Sequence, residues 1–347
     1  MDFFLLRFYK KEIYEKYKRC KINLTKAISI FLGGFMENMI EVRGLVKKYK
    51  DLKALDGLDL DVKKGRILGL LGPNGSGKST TINCILSLLK KDGGSVKIYG
   101  KEMSPDAYDI KEKIGVVFQD VGVYDELNVY ENIDYFCGLY IRDKNKRREL
   151  IARTLDLVGL NDFVKFKPKK LSGGLLRRLN IACGIAHRPE IIILDEPTVA
   201  VDPQSRNNIL EGIKKLNQDG STIIYTSHYM DEVDFLCDDI VIMDKGRVIA
   251  KGTSSQLKDM IQINEKISFA YDDLSQDVKE KLEKMDHIID FTCKDNTCFM
   301  TFSKSEENLL DLVKILADNK ISYRSINVEK PSLNDVFLEL TGKDLRD

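Results

Sequence analysis

The sequence predicts an α/β protein followed by a small α+β unit, and three observations lead to this fold class. A glycine-rich loop, Gly72–Thr80, follows the apolar run Ile67–Leu71 and precedes a helical pattern. A second apolar run, Ile191–Leu194, ends in two acidic residues. Beyond Ile267 the pattern changes to short strands and helices. Apolar runs alternating with helices indicate a parallel sheet that is buried on both faces in the first unit.

A basic leader, residues 1–38, precedes the first strand pattern. Residues 1–35 hold eight basic and three acidic side chains, with Phe3, Phe4, Leu6, Tyr9, Ile13 and Tyr17 at near-helical spacing. Such an amphipathic helix would lie on an anionic membrane surface. Alternatively, translation starts at Met36 or Met39 and the leader is not native. We favour the second interpretation because the motifs downstream are complete without the leader.

The glycine-rich loop predicts nucleoside triphosphate binding. It follows the pattern G-x-x-x-x-G-K-S, in which backbone amides surround the phosphates, Lys78 contacts the outer ones and Ser79 binds magnesium. The positive end of the following helix, predicted over Thr80–Leu89, would face the anion. Glycine-rich loops also form plain turns, but the strand before and the apolar helix after favour phosphate binding. The predicted nucleotide-binding residues here are Gly72, Asn74, Gly75, Ser76, Gly77, Lys78, Ser79 and Thr80.

The two acids that end the second apolar run predict the hydrolytic centre. Asp195 would hold the magnesium, and Glu196 would polarise the attacking water. The alternative is a buried strand whose end carries two solvated acids. That alternative explains the isoleucines but not two acids followed by Pro197 and Thr198.

The segment Leu171-Ser172-Gly173-Gly174 predicts a helix over Leu175–His187 with Ser172 as its N-cap. Together with the phosphate loop it resembles the signature of ATP-binding cassette (ABC) ATPases. The resemblance implies that Ser172, Gly173 and Gly174 bind the γ-phosphate held by a second copy, in a head-to-tail dimer. Leu175 stands where the family most often has glutamine, and we expect this departure to be tolerated because backbone groups and Ser172 make the contacts.

Gln119 and His228 match the family by their order and spacing, and Tyr49 and Asp202 are two further matches. By resemblance, Gln119 contacts magnesium and the attacking water, and His228 senses the γ-phosphate. Tyr49 stacks on adenine, and Asp202 lies in the D-loop, which crosses the dimer seam. A lone histidine after a strand is more often structural, and Tyr49 could equally be an ordinary half-exposed tyrosine.

Ala200 stands where the D-loop usually has glycine. If the local backbone needs a positive φ, alanine costs roughly 1 kcal/mol of strain. If it does not, nothing changes, and the sequence does not distinguish the two cases.

The C-terminal pattern predicts a ferredoxin-like sandwich of order βαββαβ. Its predicted elements are strand Ile267–Tyr271, helix Leu274–Met285, hairpin strands Ile288–Cys293 and Thr297–Phe302, helix Glu306–Asn319 and strand Ile321–Val328. A final helix in 331–342 carries Asp335-Val336-Phe337 and resembles the end of ABC ATPases of the daunorubicin-resistance and sodium-export type. The predicted fold is therefore a P-loop NTPase ABC cassette over 39–258, with a RecA-like core and a helical subdomain near 120–170, and a ferredoxin-like unit over 264–347.

Composition restricts the partners and the compartment. The 55 basic and 54 acidic residues give no global attraction to polyanions, and no apolar run is long enough to span a membrane. The seven cysteines are mostly scattered, which fits a reducing cytosol. Cys293 and Cys298 could face each other across the hairpin, but we favour two small buried apolar residues.

The resemblance implies an ATP-hydrolysing subunit of an ABC transporter. It would work with ATP and Mg²⁺ on the cytoplasmic face of the membrane, beside a separate integral membrane permease and a second copy or a homologous subunit. Export of drug-like, antibiotic or ionic substrates is favoured by resemblance. A soluble ABC ATPase of ribosomes or DNA would need two cassettes or a long insertion between Gln119 and Ser172, so we expect no nucleic acid partner. A regulator without turnover is disfavoured because Glu196 and His228 are both present.

Overall fold

The computed structural model describes residues 37–303 and 307–342, which form three sheets with helices packed around them. The predicted leader therefore lies outside the described residues, except for its last two positions. In the described part of the chain, none of the helices has the length and apolar character needed to cross a membrane.

The first sheet is antiparallel and has the strand order β2-β1-β4-β5. Its strands are β1 (Asn38–Tyr49), β2 (Leu52–Lys63), β4 (Gly93–Ile98) and β5 (Lys101–Glu102). The run Ile40-Glu41-Val42 lies near the start of β1, which continues to Tyr49 and pairs with β2 from Asn38 to Tyr49.

The second sheet is the centre of the molecule and has the order β10-β9-β3-β8-β7-β6. Its strands are β3 (Ile67–Leu71), β6 (Ile114–Val117), β7 (Ile191–Asp195), β8 (Thr222–Ser227), β9 (Asp239–Asp244) and β10 (Arg247–Gly252). All neighbouring strands are parallel except the terminal β9–β10 hairpin. The predicted parallel sheet is confirmed.

The second sheet is buried on both faces because successive side chains enter different cores. Ile192 and Leu194 belong to one apolar cluster, whereas Ile191 and Ile193 belong to another. Alternation of this kind follows from the two-residue period of a strand. It explains why the strands read as continuous apolar runs in the sequence.

Eight helices accompany the first two sheets within the described residues, and the sequence predicted bounds for two of them, the helix after the phosphate loop and the helix after Ser172. They are α1 (Lys78–Ile85), α2 (Tyr108–Lys111), α3 (Val129–Gly138), α4 (Lys144–Val158), α5 (Gly173–Ile185), α6 (Pro203–Gln218), α7 (Met230–Leu236) and α8 (Ser254–Lys258). Short 3-10 turns cover Asn161–Phe163 and Pro168–Lys170. Helices α3, α4 and α5 enclose their own apolar cluster, which corresponds to the predicted helical subdomain.

The predicted bounds of α1 are wrong at both ends. The helix begins at Lys78, directly after the left-handed Gly77. It ends at Ile85 because Ser87 has a φ of 51°, and the N–H groups of Leu88 and Leu89 both donate to the carbonyl of Asn83. A left-handed residue with backward hydrogen bonds is a common helix end.

The third sheet has the order β12-β13-β11-β14 and is antiparallel throughout. Its strands are β11 (Ile263–Tyr271), β12 (Ile288–Lys294), β13 (Thr297–Ser303) and β14 (Tyr323–Glu329), and its helices are α9 (Gln276–Glu283) and α10 (Asn308–Asp318). This order, with β11 between β13 and β14, is that of a ferredoxin-like sandwich. The predicted fold class is confirmed for both units.

The interpretation of Cys293 and Cys298 as two unlinked apolar residues is wrong. The two residues are directly opposite in the β12–β13 hairpin, and a disulfide joins them. The short hairpin brings their Cα atoms to 4.0 Å, so the alternative pairing considered from the sequence is the one observed.

The last helix, α11 (Leu333–Thr341), follows the ferredoxin-like unit, and its apolar face packs on the core of the central sheet. Its Leu333, Val336 and Phe337 are each no more than 1% exposed and lie in the same apolar cluster as the central sheet. They contact the region of α7 and α8. The predicted boundary, with the first unit ending at 258 and the second beginning at 264, stays a prediction. The packing of α11 places this helix in the core of the first unit.

Candidate functional site

The sheet order brings the sequence motifs to one edge. The phosphate loop follows β3, His228 follows β8, Asp195 and Glu196 stand at the end of β7, and Gln119 follows β6. Strands β3, β8, β7 and β6 are consecutive neighbours and parallel, so their carboxyl ends lie side by side. Ligands of open α/β sheets bind at this edge.

The phosphate loop is held in a conformation that needs glycine. Gly77 has a φ of 105°, and a side chain there would come within 2.8 Å of the carbonyl of Ala54. Lys78 is 5% exposed, and its ammonium donates to the carbonyls of Gly72 and Pro73 at 2.8 and 3.2 Å. Burial lowers the pKa of Lys78 against the opposing effect of the nearby acids Glu196 and Asp195.

Glu196 lies between two other predicted site residues. One carboxylate oxygen is 3.7 Å from the Lys78 ammonium, and the other is 3.7 Å from Nδ1 of His228. The Glu196 backbone has a φ of 48°, an uncommon conformation for a residue other than glycine. Strained backbone of this kind is concentrated at functional sites.

Asp195 is fixed by a residue that sequence reasoning missed. The hydroxyl of Thr226 donates to the Asp195 carboxylate at 2.6 Å and accepts from the Glu196 N–H at 2.9 Å. Thr226 therefore sets the positions of both acids. Thr226 lies on β8 opposite Asp195 in the parallel register, so its role could be predicted only after the strand order was known.

Two further buried side chains were also missed. Arg177 is 4% exposed and donates to backbone carbonyls around Glu196 and Gln119. Glu232 is 1% exposed and accepts from the hydroxyls of Thr198, Tyr225 and Ser227. Helical periodicity could have indicated that Arg177 is buried. In a helix, Arg177 shares a face with Gly174, Ile181 and Ile185, which follow one another at spacings of three and four residues.

The Ser172 segment forms an exposed helix start. Ser172 is the N-cap of α5, as predicted, and its hydroxyl accepts from the N–H of Leu175 at 3.3 Å. The helix begins at Gly173, two residues earlier than predicted, because the cap is already at Ser172. Gly174 is required by close packing, since a side chain there would come within 2.4 Å of the Ser205 hydroxyl.

Three other predicted residues, Gln119, Tyr49 and Asp202, are exposed. The Gln119 side chain is exposed, and the backbone carbonyl of Gln119 accepts from Arg177. Tyr49 ends β1 with 47% exposure, and the Lys47 ammonium is 5.4 Å from its ring centre. Asp202 caps α6, and the N–H of Ser205, its main hydrogen-bond donor, lowers the pKa of the Asp202 carboxyl.

Ala200 adopts the conformation that the sequence left open. Its φ is 57°, so the residue is left-handed and carries the strain that glycine would avoid.

Ala200→Gly should raise the free energy of unfolding by up to about 1 kcal/mol, and thermal unfolding measures the change. The control Ala152→Gly, on the exposed face of α4, should lower it by about 1 kcal/mol. A loss of stability in both variants would contradict the strain at Ala200.

Comparisons with known proteins agree with this geometry. Residues 55–199 match the family model described as ABC transporter. The chain is 37% identical over 311 residues to the linearmycin resistance ATP-binding protein LnrL of Bacillus subtilis (strain 168), covering 89% of this chain and 100% of that protein. It is 36% identical over 304 residues to the daunorubicin/doxorubicin resistance ATP-binding protein DrrA of Streptomyces peucetius, covering 87% and 92%.

The solved structures that resemble the chain are ATP-binding cassettes. One is the dimeric cassette MJ0796 in a post-hydrolysis state bound to ADP and Pi, with a TM-score of 0.57 and 31% identity over 62% of this chain and 98% of that one. Together with the site at the sheet edge, these relatives show that the chain belongs to the ABC transporter family, as an ATP-hydrolysing subunit of the type that includes the daunorubicin resistance ATP-binding proteins.

Proposed function

We propose that this subunit powers export through a separate integral membrane permease, from the cytoplasmic face of the membrane. The observation that carries the proposal is a largely exposed aromatic cluster whose first member follows Gln119 by five residues. The relatives of this chain include proteins named for linearmycin resistance and for daunorubicin/doxorubicin resistance. Another relative, at 31% identity over 312 residues, is named for Nod factor export in Cupriavidus metallidurans. We therefore propose an antibiotic or another drug-like molecule as the substrate class.

The aromatic cluster consists of Tyr124, Tyr135 and Phe136. The Tyr124 and Tyr135 rings meet edge to face at 4.9 Å, and each of these two tyrosines is more than 40% exposed. Phe136 stacks on Tyr124 at 6.0 Å. Exposed aromatic residues are enriched at protein interfaces, where a ring provides contact area at low entropic cost.

The cluster is held by a buried amide. Asn132 is fully buried, and its side-chain NH₂ donates to the carbonyls of Tyr124, Leu127 and Asn128. Its side-chain oxygen accepts from the N–H of Tyr124 at 2.7 Å. The loop that follows Gln119 is thus fixed to α3, and force applied to the cluster reaches Gln119 through a short stretch of ordered chain.

At the catalytic edge, we propose that Gly72–Thr80 holds the ATP phosphates and that Glu196 accepts a proton from the attacking water. His228 would hold the γ-phosphate and orient Glu196, and Tyr49 would stack on adenine. Ser172, Gly173, Gly174 and Asp202 would complete the site of a second copy or a homologous subunit.

The oxygen donors Ser79, Gln119 and Asp195 fit Mg²⁺, which prefers oxygen ligands and few carboxylates. Asp195 supports this fit because it is 5% exposed and Thr226 already orients one of its oxygens. When bound, the ion would neutralise charge on the phosphates.

Membrane fractionation tests the partnership. The chain should sediment with membranes after a high-salt wash when its integral membrane permease is co-expressed, and not without it. Tyr135→Asp should abolish retention, whereas Tyr108→Asp, on α2 with 71% exposure, should not. Retention without the permease, or sedimentation with ribosomes, would contradict the proposal.

A further inference from the structure

We infer that Arg177 is a positioning residue for ATP hydrolysis, one that sets Glu196 and Gln119 at a fixed separation. The inference rests on the roles proposed above for those two residues. Arg177 lies on α5, one turn beyond Gly173 and Gly174, and its side chain points into the interior with 4% exposure.

One side of the guanidinium group binds the backbone around the proposed water-activating acid. Nε donates to the carbonyl of Pro197 at 2.7 Å, and Nη2 donates to the carbonyl of Glu196 at 2.9 Å. Nη2 also lies 3.3 Å from the carbonyl of Asp195. These bonds hold the left-handed turn at Glu196 from its carbonyl side, while Thr226 holds it from the N–H side.

The other side binds the loop that carries Gln119. Nη1 donates to the carbonyl of Gln119 at 2.6 Å and to that of Phe118 at 3.1 Å. A planar guanidinium with five donors in fixed directions can bridge two segments in this way. The loops after β6 and β7 are therefore fixed relative to each other by one side chain.

Arg177 is bound by carbonyl dipoles and not by an acid. None of the ion pairs within residues 37–303 and 307–342 includes Arg177, although Asp195 and Glu196 are nearby. Burial lowers the pKa of Arg177, and the charge of Asp195 opposes this effect. An arginine used only for stability would be expected to pair with a carboxylate, since a buried charge otherwise costs free energy.

Helix α5 connects this bridge to the surface that would meet the second copy. Leu179 and Ala182 pack in the cluster of the helical subdomain, whereas Ile181 and Ile185 pack in the central core. A displacement at the Ser172 end of α5 would therefore move Arg177, and with it the carbonyls of Glu196 and Gln119. A movement of Ser172, Gly173 and Gly174 is therefore transmitted through α5 and Arg177 to the residues proposed to bind the attacking water.

The test compares Arg177→Lys with Arg147→Lys in the full chain. Lysine keeps the positive charge but lacks the planar set of N–H donors that bridges the two loops. We therefore expect kcat for ATP hydrolysis to fall about 10-fold to 100-fold, while KM and the equilibrium affinity for ATP change less than about 3-fold. Arg147 is a matched control because it also binds carbonyls, those of Ile141 and Arg142, and pairs with Asp134 away from the site. Its substitution should leave kcat unchanged.

A double variant separates positioning from folding. Glu196→Asp displaces the carboxylate, so adding Arg177→Lys to it should cost less than about 2-fold in kcat. An unchanged kcat for Arg177→Lys would overturn the inference. So would a parallel loss of ATP affinity and thermal stability in Arg177→Lys, since it would assign a purely structural role. Normal turnover by Glu196→Gln would instead overturn the proposed site itself.

Discussion

Glu196→Gln is expected to lower steady-state ATP hydrolysis by at least about 100-fold while ATP binding is retained. Glutamine has the shape of glutamate but lacks the charge that removes a proton from water. The backbone bonds to Thr226 and Arg177 do not involve the carboxylate, so the left-handed turn should remain. Phosphate release and equilibrium nucleotide binding measure the two effects separately.

The same variant should accumulate as an ATP-bound dimer, seen by size-exclusion chromatography with ATP and not with ADP. The control is Glu211→Gln, at an exposed acid on α6. This variant should hydrolyse ATP normally and should not accumulate as an ATP-bound dimer. Turnover near the wild-type rate by Glu196→Gln would remove Glu196 from the mechanism. Loss of activity without a dimer would contradict the head-to-tail arrangement.

Phe337→Ala is expected to lower the free energy of unfolding by about 3–5 kcal/mol. Phe337 is 1% exposed and packs in the central core beside α7, so its removal leaves a cavity that rigid neighbours cannot fill. Denaturant unfolding followed by circular dichroism measures the change, because the chain has no tryptophan for fluorescence.

Leu340→Ala is the matched control for this prediction. Leu340 lies on the same helix with 40% exposure, and its truncation should cost less than about 1 kcal/mol. Equal costs for the two substitutions would mean that α11 does not pack on the core in solution. The ATP affinity of Phe337→Ala below its unfolding transition should be normal, since α11 contributes none of the proposed phosphate contacts.

Local sequence patterns predicted the elements that carry the catalytic edge. Strand β3 was predicted residue for residue. Strand β7 was predicted to end in the two acids Asp195 and Glu196, and the observed strand ends at the first of them. Long apolar runs before a glycine-rich loop or paired acids have few alternative structures. The N-cap at Ser172 was also predicted correctly, because capping depends on neighbouring residues alone.

The unpredicted features depend on contacts between distant segments. The carbonyls that bind Arg177 carry no side-chain identity, so no sequence pattern marks them. The φ of Ala200 follows from how the chain turns after β7, a backbone conformation that alanine itself does not favour. The position of α11 was missed for a similar reason, because its apolar face fits several surfaces and the pattern does not select one.

The packing of α11 also affects the order of events during synthesis. The central core receives Leu333, Val336 and Phe337 only after the whole ferredoxin-like unit has been made. A nascent chain that stops before residue 333 leaves apolar surface on α7 and α8 open to proteases and chaperones. We expect ribosome-bound chains to gain protease resistance in the cassette only once this helix has emerged. The core of the central sheet is thus closed only in chains that already contain α11.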